Sequence, residues 1–227
     1  MILSPDIRRL APFQAAIFDM DGTLLDTEAA FKTVVYEVCT ELGFEMTDHV
    51  HSAMVGSSHE HSNKLLVEAY GVSFPYALFD ERCRVIMRER THEGVPVKPG
   101  AVEFITDLRE RGIPIAVATS SRQSHAHSHL SHAGLFDLFD TIVTRDDVVH
   151  PKPHPEPYLT AARRLGIDPL ACLALEDSHA GVRAAHAAGM QTVMVPDLVD
   201  PNAEIRALGI AIMDSLIAVR HAAFATR

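Results

Sequence analysis

The stretch that decides the fold is Ala15-Ala16-Ile17-Phe18-Asp19-Met20-Asp21-Gly22-Thr23. It opens with four consecutive apolar residues, a pattern typical of a short strand that is buried on both faces. It then turns polar and ends in Asp-Gly, which taken alone is more often a turn than a site. A buried strand that ends in carboxylates indicates a parallel sheet with polar side chains at its carboxyl edge.

Further short apolar runs continue this pattern along the chain. We interpret them as parallel strands at Ile115–Ala118, Thr141–Val143, Cys172–Leu175 and Thr192–Val195. Helical patterns that end near glycines alternate with them, at Ala101–Arg111, Ser124–Ala133, Glu156–Leu165 and Gly181–Ala188. Strand alternating with helix predicts an α/β fold, a Rossmann-like doubly wound parallel sheet covered by helices on both faces.

The long gap between the first two strands breaks this alternation. Its residues give helical patterns throughout, at Glu28–Leu42, Asp48–Met54, Ser58–Tyr70 and Tyr76–Glu93. We therefore predict an inserted helical cap domain over residues 27–96. The α/β core, expected to be the catalytic domain, takes residues 1–26 and 97–227.

Composition narrows the range of partners. The chain has 30 acidic and 20 basic residues and a formal net charge of −10, which argues against nucleic acid or an anionic membrane surface as its main partner. No apolar run approaches the roughly 18 residues that span a bilayer, and residues 1–13 lack the apolar stretch of a secretory signal. The three cysteines are not closely spaced, so they form no CxxC metal-binding motif, and their odd number gives no complete disulfide framework. We expect a cytoplasmic protein that is not bound to a membrane; the charge balance identifies no partner.

The polar residues that follow the predicted strands form the candidate site. They are Asp19 and Asp21 after the first strand, Thr119 and Ser120 after the second, Lys152 beyond the third, and Glu176 and Asp177 after the fourth. Carboxylates crowded at one edge repel one another unless a hard cation lies among them, and Mg²⁺ prefers oxygen ligands. A lysine and a hydroxyl could hold phosphoryl oxygens while a carboxylate attacks. Each residue alone would be an ordinary cap, turn or loop residue, so the prediction depends on their joint occurrence.

These residues also carry a resemblance to a known family. Asp19-Met20-Asp21-Gly22-Thr23 resembles the first motif of the haloacid dehalogenase superfamily, and Ala118-Thr119-Ser120-Ser121 resembles the second. Lys152-Pro153 with Pro155 is similar to the third motif. Glu176-Asp177-Ser178 is similar to the fourth, in the form found in the beta-phosphoglucomutase-like branch of small-molecule phosphatases.

The resemblance implies a role for each matching residue. Asp19 would be the nucleophile, and Asp21 the general acid that later serves as the base for water. Mg²⁺ would be held by Asp19, the main-chain carbonyl of Asp21 and Asp177, with Glu176 contacting it directly or supporting it. Thr119, the Ser120 amide and Lys152 would bind the phosphate.

The implied activity is that of a Mg²⁺-dependent phosphatase of small phosphorylated metabolites, namely sugar, polyol or nucleoside monophosphates, acting through an aspartyl-phosphate. A phosphosugar mutase of the beta-phosphoglucomutase type is the main alternative. A phospho-receiver signalling domain is a remote one, because receivers place their acidic pair before the nucleophile and need no general acid such as Asp21. Neither the physiological substrate nor the oligomeric state is encoded in these motifs; we expect a monomer.

The choice between phosphatase and mutase turns on the cap segment Gly56-Ser57-Ser58-His59. Gly56, Ser58 and His59 are candidate substrate contacts. In the mutase-like enzymes the matching segment carries an arginine, which grips a second phosphate bidentately. An imidazole, mostly uncharged at neutral pH, retains that phosphate poorly, and this favours a phosphatase.

Histidine is abundant, and His125, His129 and His132 fall on one face of a predicted helix. A metal site is conceivable there. Because no acidic or cysteine ligand accompanies these residues, we interpret the face as solvated.

Overall fold

The computed structural model describes residues 10–54 and 59–225. The chain divides into two compact units. One, here called the sheet unit, takes in the chain up to Asp26 and from Pro96 onward. The other, here called the helical unit, is Thr27–Val95.

The sheet unit is built on a parallel sheet. Its strands, among the described residues, are β1 Ala15–Phe18, β2 Ile115–Ala118, β3 Thr141–Val143, β4 Cys172–Glu176, β5 Gln191–Met194 and β6 Ala211–Ile212. They lie in the order β3-β2-β1-β4-β5-β6, and every neighbouring pair is parallel. The α/β fold with a doubly wound parallel sheet is thus confirmed. The short edge strand β6 was not predicted from the sequence.

The helical unit lies between β1 and β2 in the chain. Its helices are α1 Thr27–Glu41, α2 Asp48–Met54, α3 His59–Tyr70 and α4 Tyr76–Glu93. Their apolar faces enclose a core of their own that includes Val38, Leu66 and Phe79. Two ion pairs, from Arg82 to Glu41 and from Arg90 to Glu37, tie α4 to α1 at the surface. Because its core is separate, this unit can be described as a compact body by itself.

The remaining helices belong to the sheet unit. They are α5 Ala101–Glu110, α6 Gln123–His132, α7 Glu156–Leu165, α8 His179–Ala187, α9 Ala203–Ala207 and α10 Leu216–Phe224. The last two were not predicted. Helix α8 begins two residues earlier than the sequence suggested because Ser178 caps it, accepting a bond from the Gly181 amide at 3.1 Å. Helix α7 buries Tyr158 and Ala161 against the sheet.

The strand order places the site. From the central β1 the chain crosses first to β2 and β3, and afterwards to β4 on the other side of β1. The carboxyl ends of β1 and β4 therefore lie side by side at the switch point, where ligands bind in sheets of this kind. Phe18 is registered with Leu175, and the Asp19 amide donates to the Leu175 carbonyl at 2.9 Å. Asp19 thus emerges next to Glu176.

The histidine-rich helix α6 requires a correction. His125 and His132 are exposed as expected, but His129 is only 4% exposed, and its ring centroid lies 3.7 Å from that of His125. Burial, with His125 nearby, lowers the pKa of His129 to about 4. The solvated-face interpretation was wrong for His129, because helical spacing alone does not reveal where a face packs against the rest of the unit.

Within residues 10–54 and 59–225, no helix has the length and apolar character needed to cross a membrane.

Candidate active site

Lys152 bridges two carboxylates at the carboxyl edge of the sheet. Asp19 directly follows β1, and Glu176 is the last residue of the neighbouring β4. Lys152 Nζ donates to Asp19 Oδ1 and to Glu176 Oε1, in both cases at 2.5 Å. The lysine side chain is only 4% exposed, so these charge-assisted bonds are shielded from water and hold the ammonium in one position. The structure thus brings three residues predicted from separate motifs into direct contact.

Glu176 is fully buried, and both of its oxygens have partners. Besides Lys152, Oε1 accepts from the hydroxyl of Tyr158 at 2.7 Å. Oε2 accepts from the hydroxyl of Ser178 at 3.0 Å and from its amide at 3.2 Å. A buried carboxylate is tolerated when it is paired and hydrogen-bonded in this way, and the same bonds make its position rigid. Glu176 therefore acts as the fixed support against which Lys152 is held.

The electrostatics of the cluster follow from burial and crowding. Burial alone would lower the pKa of Lys152, but Asp19 and Glu176 outweigh it and hold that pKa above its ordinary value, so the lysine stays charged. Burial, and then the charge of Glu176, raise the pKa of Asp177 to about 7. The same two causes raise the pKa of Tyr158 well above its ordinary value, so its hydroxyl remains a donor.

Glu176 reaches its buried position because residue 181 has no side chain. A Cβ on Gly181 would lie 1.7 Å from Glu176 Oε1, far inside any real contact. Helix α8 therefore passes directly over the carboxylate, and the third residue of that helix must be glycine.

We expect Gly181→Ala to destabilise the fold by about 2 kcal/mol or more, because the methyl group must displace Glu176 and its bonds. Helix propensity alone would predict the opposite sign, since alanine is favoured over glycine by about 1 kcal/mol. Urea unfolding measures the difference. Ala187→Gly, an exposed change at the last residue of the same helix, is the matched control and should cost no more than about 1 kcal/mol. A Gly181→Ala variant as stable as the parent chain would contradict this packing.

Three carboxylates at this edge form a donor set suited to a hard cation. Asp19, Glu176 and Asp177 each offer an oxygen, and these atoms lie within 4.8 Å of one another. The three carboxylates face one ammonium, so two negative charges remain when all are ionised, which a divalent cation would balance. Gly22 makes room for this arrangement, since a Cβ there would lie 2.4 Å from Asp177 Oδ2. An all-oxygen set of this charge fits Mg²⁺.

Asp21 lies beside the second strand's hydroxyl residues. Its Oδ2 accepts from the Ser121 hydroxyl at 2.8 Å. The Ser121 amide in turn donates to Thr119 Oγ1 at 3.0 Å, and Thr119 is 2% exposed. This bond uses Thr119 as an acceptor and leaves its hydroxyl hydrogen for another partner. The Asp21 carboxylate is thus oriented by a hydroxyl donor rather than placed within the carboxylate cluster.

The structure gives less information about the other residues predicted to contact substrate. Ser120 is exposed at the end of β2. Gly56 and Ser58 lie outside the described residues. His59 begins α3, but its side chain also lies outside the described part of the structure. The proposed contacts of these cap residues with substrate stay predictions.

Sequence reasoning missed Tyr158, Ser121 and Gly181 as supports of the site. A weak signal existed for each. A tyrosine on the apolar face of a helix usually finds a buried polar partner. A glycine early in a helix indicates a close approach by another group. A serine two residues after Thr119 is positioned to contact the same edge of the sheet.

Comparisons with known proteins identify the family to which the chain belongs. The model of the haloacid dehalogenase-like hydrolase family matches residues 16–195. A fructose-1-phosphate phosphatase of Escherichia coli is 34% identical over 184 residues, which cover 81% of this chain and 96% of that protein. A phosphorylated carbohydrates phosphatase of Thermotoga maritima is 31% identical over 202 residues, which cover 88% and 94% of the two chains.

A solved structure gives the same result. The crystal structure of a beta-phosphoglucomutase from Clostridium difficile is similar with a TM-score of 0.64 and 26% identity, over 90% of this chain and 95% of that one. The sequence motifs, the sheet topology, the family model, the related sequences and the solved structure all indicate the same family. The chain therefore belongs to the haloacid dehalogenase-like hydrolase family, as a phosphatase of the branch that includes beta-phosphoglucomutase.

Proposed function

We propose that this chain is a Mg²⁺-dependent phosphatase of small phosphorylated sugars and related metabolites, and that it acts through an aspartyl-phosphate on Asp19. The observation that carries the proposal is the bridge from Lys152 Nζ to Asp19 and Glu176, at 2.5 Å each, at the carboxyl edge of β1 and β4. It places a carboxylate beside a fixed ammonium in a site shielded from water. That is the arrangement in which a carboxylate can attack a phosphoryl group while its charge is neutralised.

In the first step, a carboxylate oxygen of Asp19 forms a bond to phosphorus and the ester bond to the leaving oxygen breaks. Asp21 gives its proton to that oxygen, so the product leaves as an alcohol. In the second step, Asp21 takes a proton from water, which attacks the phosphorus of the aspartyl-phosphate. The acyl phosphate bond breaks, inorganic phosphate leaves and the Asp19 carboxylate is restored. Ser121 holds Asp21 in position for both transfers.

The phosphate oxygens would be held by Lys152, the Thr119 hydroxyl and the Ser120 amide. Lys152 already lies against Asp19, so it can follow the phosphoryl group between the substrate and the nucleophile. Mg²⁺ would be bound by Asp19, Asp177 and the main-chain carbonyl of Asp21, with Glu176 as a further carboxylate of the cluster. When bound, the ion neutralises the carboxylates and the charge of the phosphate.

We further propose that the sheet unit is the catalytic domain and that residues 27–96 are a cap that selects the substrate. Two relatives support a sugar phosphate as that substrate, since one acts on fructose 1-phosphate and the other on phosphorylated carbohydrates. The likeness to beta-phosphoglucomutase keeps mutase activity as the competing function. His59 argues against mutase activity, because such mutases carry an arginine at the matching position.

The test is a panel of sugar, polyol and nucleoside monophosphates assayed with Mg²⁺ for released phosphate. We expect net phosphate release from sugar monophosphates and only trace isomerisation of beta-glucose 1-phosphate, even with a bisphosphate primer. Activity should disappear in excess EDTA and return with Mg²⁺. Ca²⁺ should inhibit, because its larger and less regular oxygen shell displaces Asp19.

Two results would contradict the proposal. Full activity in excess chelator would remove the metal from the mechanism. Conversion of beta-glucose 1-phosphate to glucose 6-phosphate faster than phosphate release would establish a mutase instead.

A further inference from the structure

The loop that carries Lys152 also brings together two histidines and a glutamate. His150 and His154 stand two residues before and after Lys152, and Glu156 is the first residue of α7. Glu156 Oε2 lies 2.9 Å from His150 Nδ1 and 4.0 Å from His154 Nδ1. Each of the three side chains offers a ligand atom within 4.8 Å of the other two. They are separate from the carboxylate cluster and have no role in the proposed mechanism.

The carboxylate of Glu156 is held in place before any ligand binds. Its Oε1 accepts from the Val149 amide and its Oε2 from the His150 amide, each at 2.9 Å. The backbone bonds from Val149 and His150, followed by the bond from the His150 side chain, lower the pKa of Glu156 to about 2. The carboxylate is therefore ionised at neutral pH. Each oxygen has a second lone pair that the backbone bonds do not use.

The two imidazoles can complete the set. Their ring centroids lie 4.6 Å apart, and the side chains of His150 and His154 are 63% and 50% exposed, so they can rotate and remain open to solvent. A tetrahedral Zn²⁺ with bonds of about 2.0–2.1 Å needs ligand atoms about 3.3 Å apart. The distances of 2.9 and 4.0 Å lie on either side of that value.

We propose that His150, His154 and Glu156 form a second metal site, for a divalent ion of the zinc class such as zinc, cobalt or nickel. Two imidazole nitrogens and one carboxylate oxygen suit such ions, whereas the all-oxygen cluster at Asp19 suits Mg²⁺. Water fills the remaining positions. The bound ion replaces the hydrogen bond between His150 and Glu156. Because its ligands flank Lys152 on both sides, it also restrains the loop that positions this lysine.

The histidine-rich helix α6 provides the contrast. The ring centroids of His125 and His129 lie 3.7 Å apart, closer than those of the loop histidines. Among residues 10–54 and 59–225, however, no carboxylate or thiol completes a set of three ligands with them. In the part of the chain that the structure describes, the groups able to supply three ligands are the loop site and the cluster at Asp19. The proposed site therefore depends on Glu156 and not on histidine content.

The test is a zinc titration of the untagged, metal-stripped chain against a chromophoric chelator, in excess Mg²⁺ so that the carboxylate cluster is filled. We expect one tight zinc per chain. Cobalt should give the intense visible bands of a four-coordinate site. His150→Ala/His154→Ala should weaken zinc binding by at least about 100-fold, since even residues that only support ligands contribute about 10- to 100-fold. Affinity should also fall from about pH 7.5 to about pH 5.5, because protons compete for the imidazoles.

The controls separate this site from the others. His125→Ala/His132→Ala and Asp177→Asn should bind zinc as the parent chain does. Glu156→Gln keeps an oxygen acceptor for one of the two loop amides and should weaken zinc binding. Thermal unfolding without metal shows that each variant is folded. Three results would overturn the proposal. The variant without both loop histidines could still bind zinc, or the parent chain could bind none. Zinc binding could also be lost in His125→Ala/His132→Ala or in Asp177→Asn.

Discussion

Asp19→Asn should abolish turnover, with a loss of at least about 10⁴-fold, the scale seen when a covalent nucleophile is removed. The amide has the shape of the carboxylate and can still accept from Lys152, so the variant should fold and bind substrate. Neither Glu176 nor Asp21 can replace it, because Glu176 is fully buried and bonded to Lys152, and Asp21 is bonded to Ser121. Initial rates of phosphate release test the loss of turnover, and a binding measurement tests whether the variant still binds substrate.

Asp137→Asn is the matched control, because Asp137 is an exposed aspartate of the sheet unit. It should leave the rate unchanged. Turnover by Asp19→Asn above a few per cent of the parent rate, with contaminating phosphatase excluded, would remove Asp19 from the role of nucleophile.

Lys152→Met should damage both activity and stability. The substitution keeps most of the volume but leaves Glu176 and Asp19 without their shared cation in a site shielded from water. Removing one partner of a buried ion pair costs about 3–5 kcal/mol, because the other charge is left uncompensated. Phosphate release should fall by at least about 10²- to 10³-fold, the loss seen when one preorganised charge-stabilising group is removed.

Urea unfolding and steady-state rates measure these two effects. Lys64→Met is the control, since Lys64 and its partner Glu60 are both largely exposed. The Lys64–Glu60 pair should contribute less than about 1 kcal/mol to the free energy of unfolding, and its loss should not slow turnover. A Lys152→Met variant as stable as the control would mean that the bridge seen at Glu176 is not a structural element.

The position of the site was predictable because of the symmetry of a parallel sheet. Every strand of such a sheet ends at the same edge, so Asp19, Thr119 and Glu176 could be placed together from their positions after apolar runs alone. The resemblance to the family motifs added the order of the site residues along the chain and the role expected of each. Helix and strand bounds were close to the observed ones where a long periodic pattern or a glycine marked them, as at Glu156–Leu165.

What escaped prediction depends on contacts between segments distant in sequence. The Tyr158 hydroxyl reaches Glu176 only because α7 packs on the sheet in one orientation, which no local pattern specifies. The burial of His129 has the same origin. The edge strand β6 has two residues and helix α9 has five, too few for a periodicity to be recognised.

The most direct measurement of the central claim is to trap the phosphorylated aspartate. Asp21→Asn slows hydrolysis of the aspartyl-phosphate because the base for water is lost. Because the acid for a sugar leaving oxygen is lost as well, the substrate is an acyl phosphate, whose leaving carboxylate needs no proton. We predict that this variant, mixed with the acyl phosphate and Mg²⁺ and quenched in acid, carries one phosphoryl group on the peptide that contains Asp19. The double variant Asp19→Asn/Asp21→Asn should carry none. Phosphate release by Asp21→Asn with no phosphorylated peptide, or a phosphoryl group on any residue other than Asp19, would contradict the mechanism.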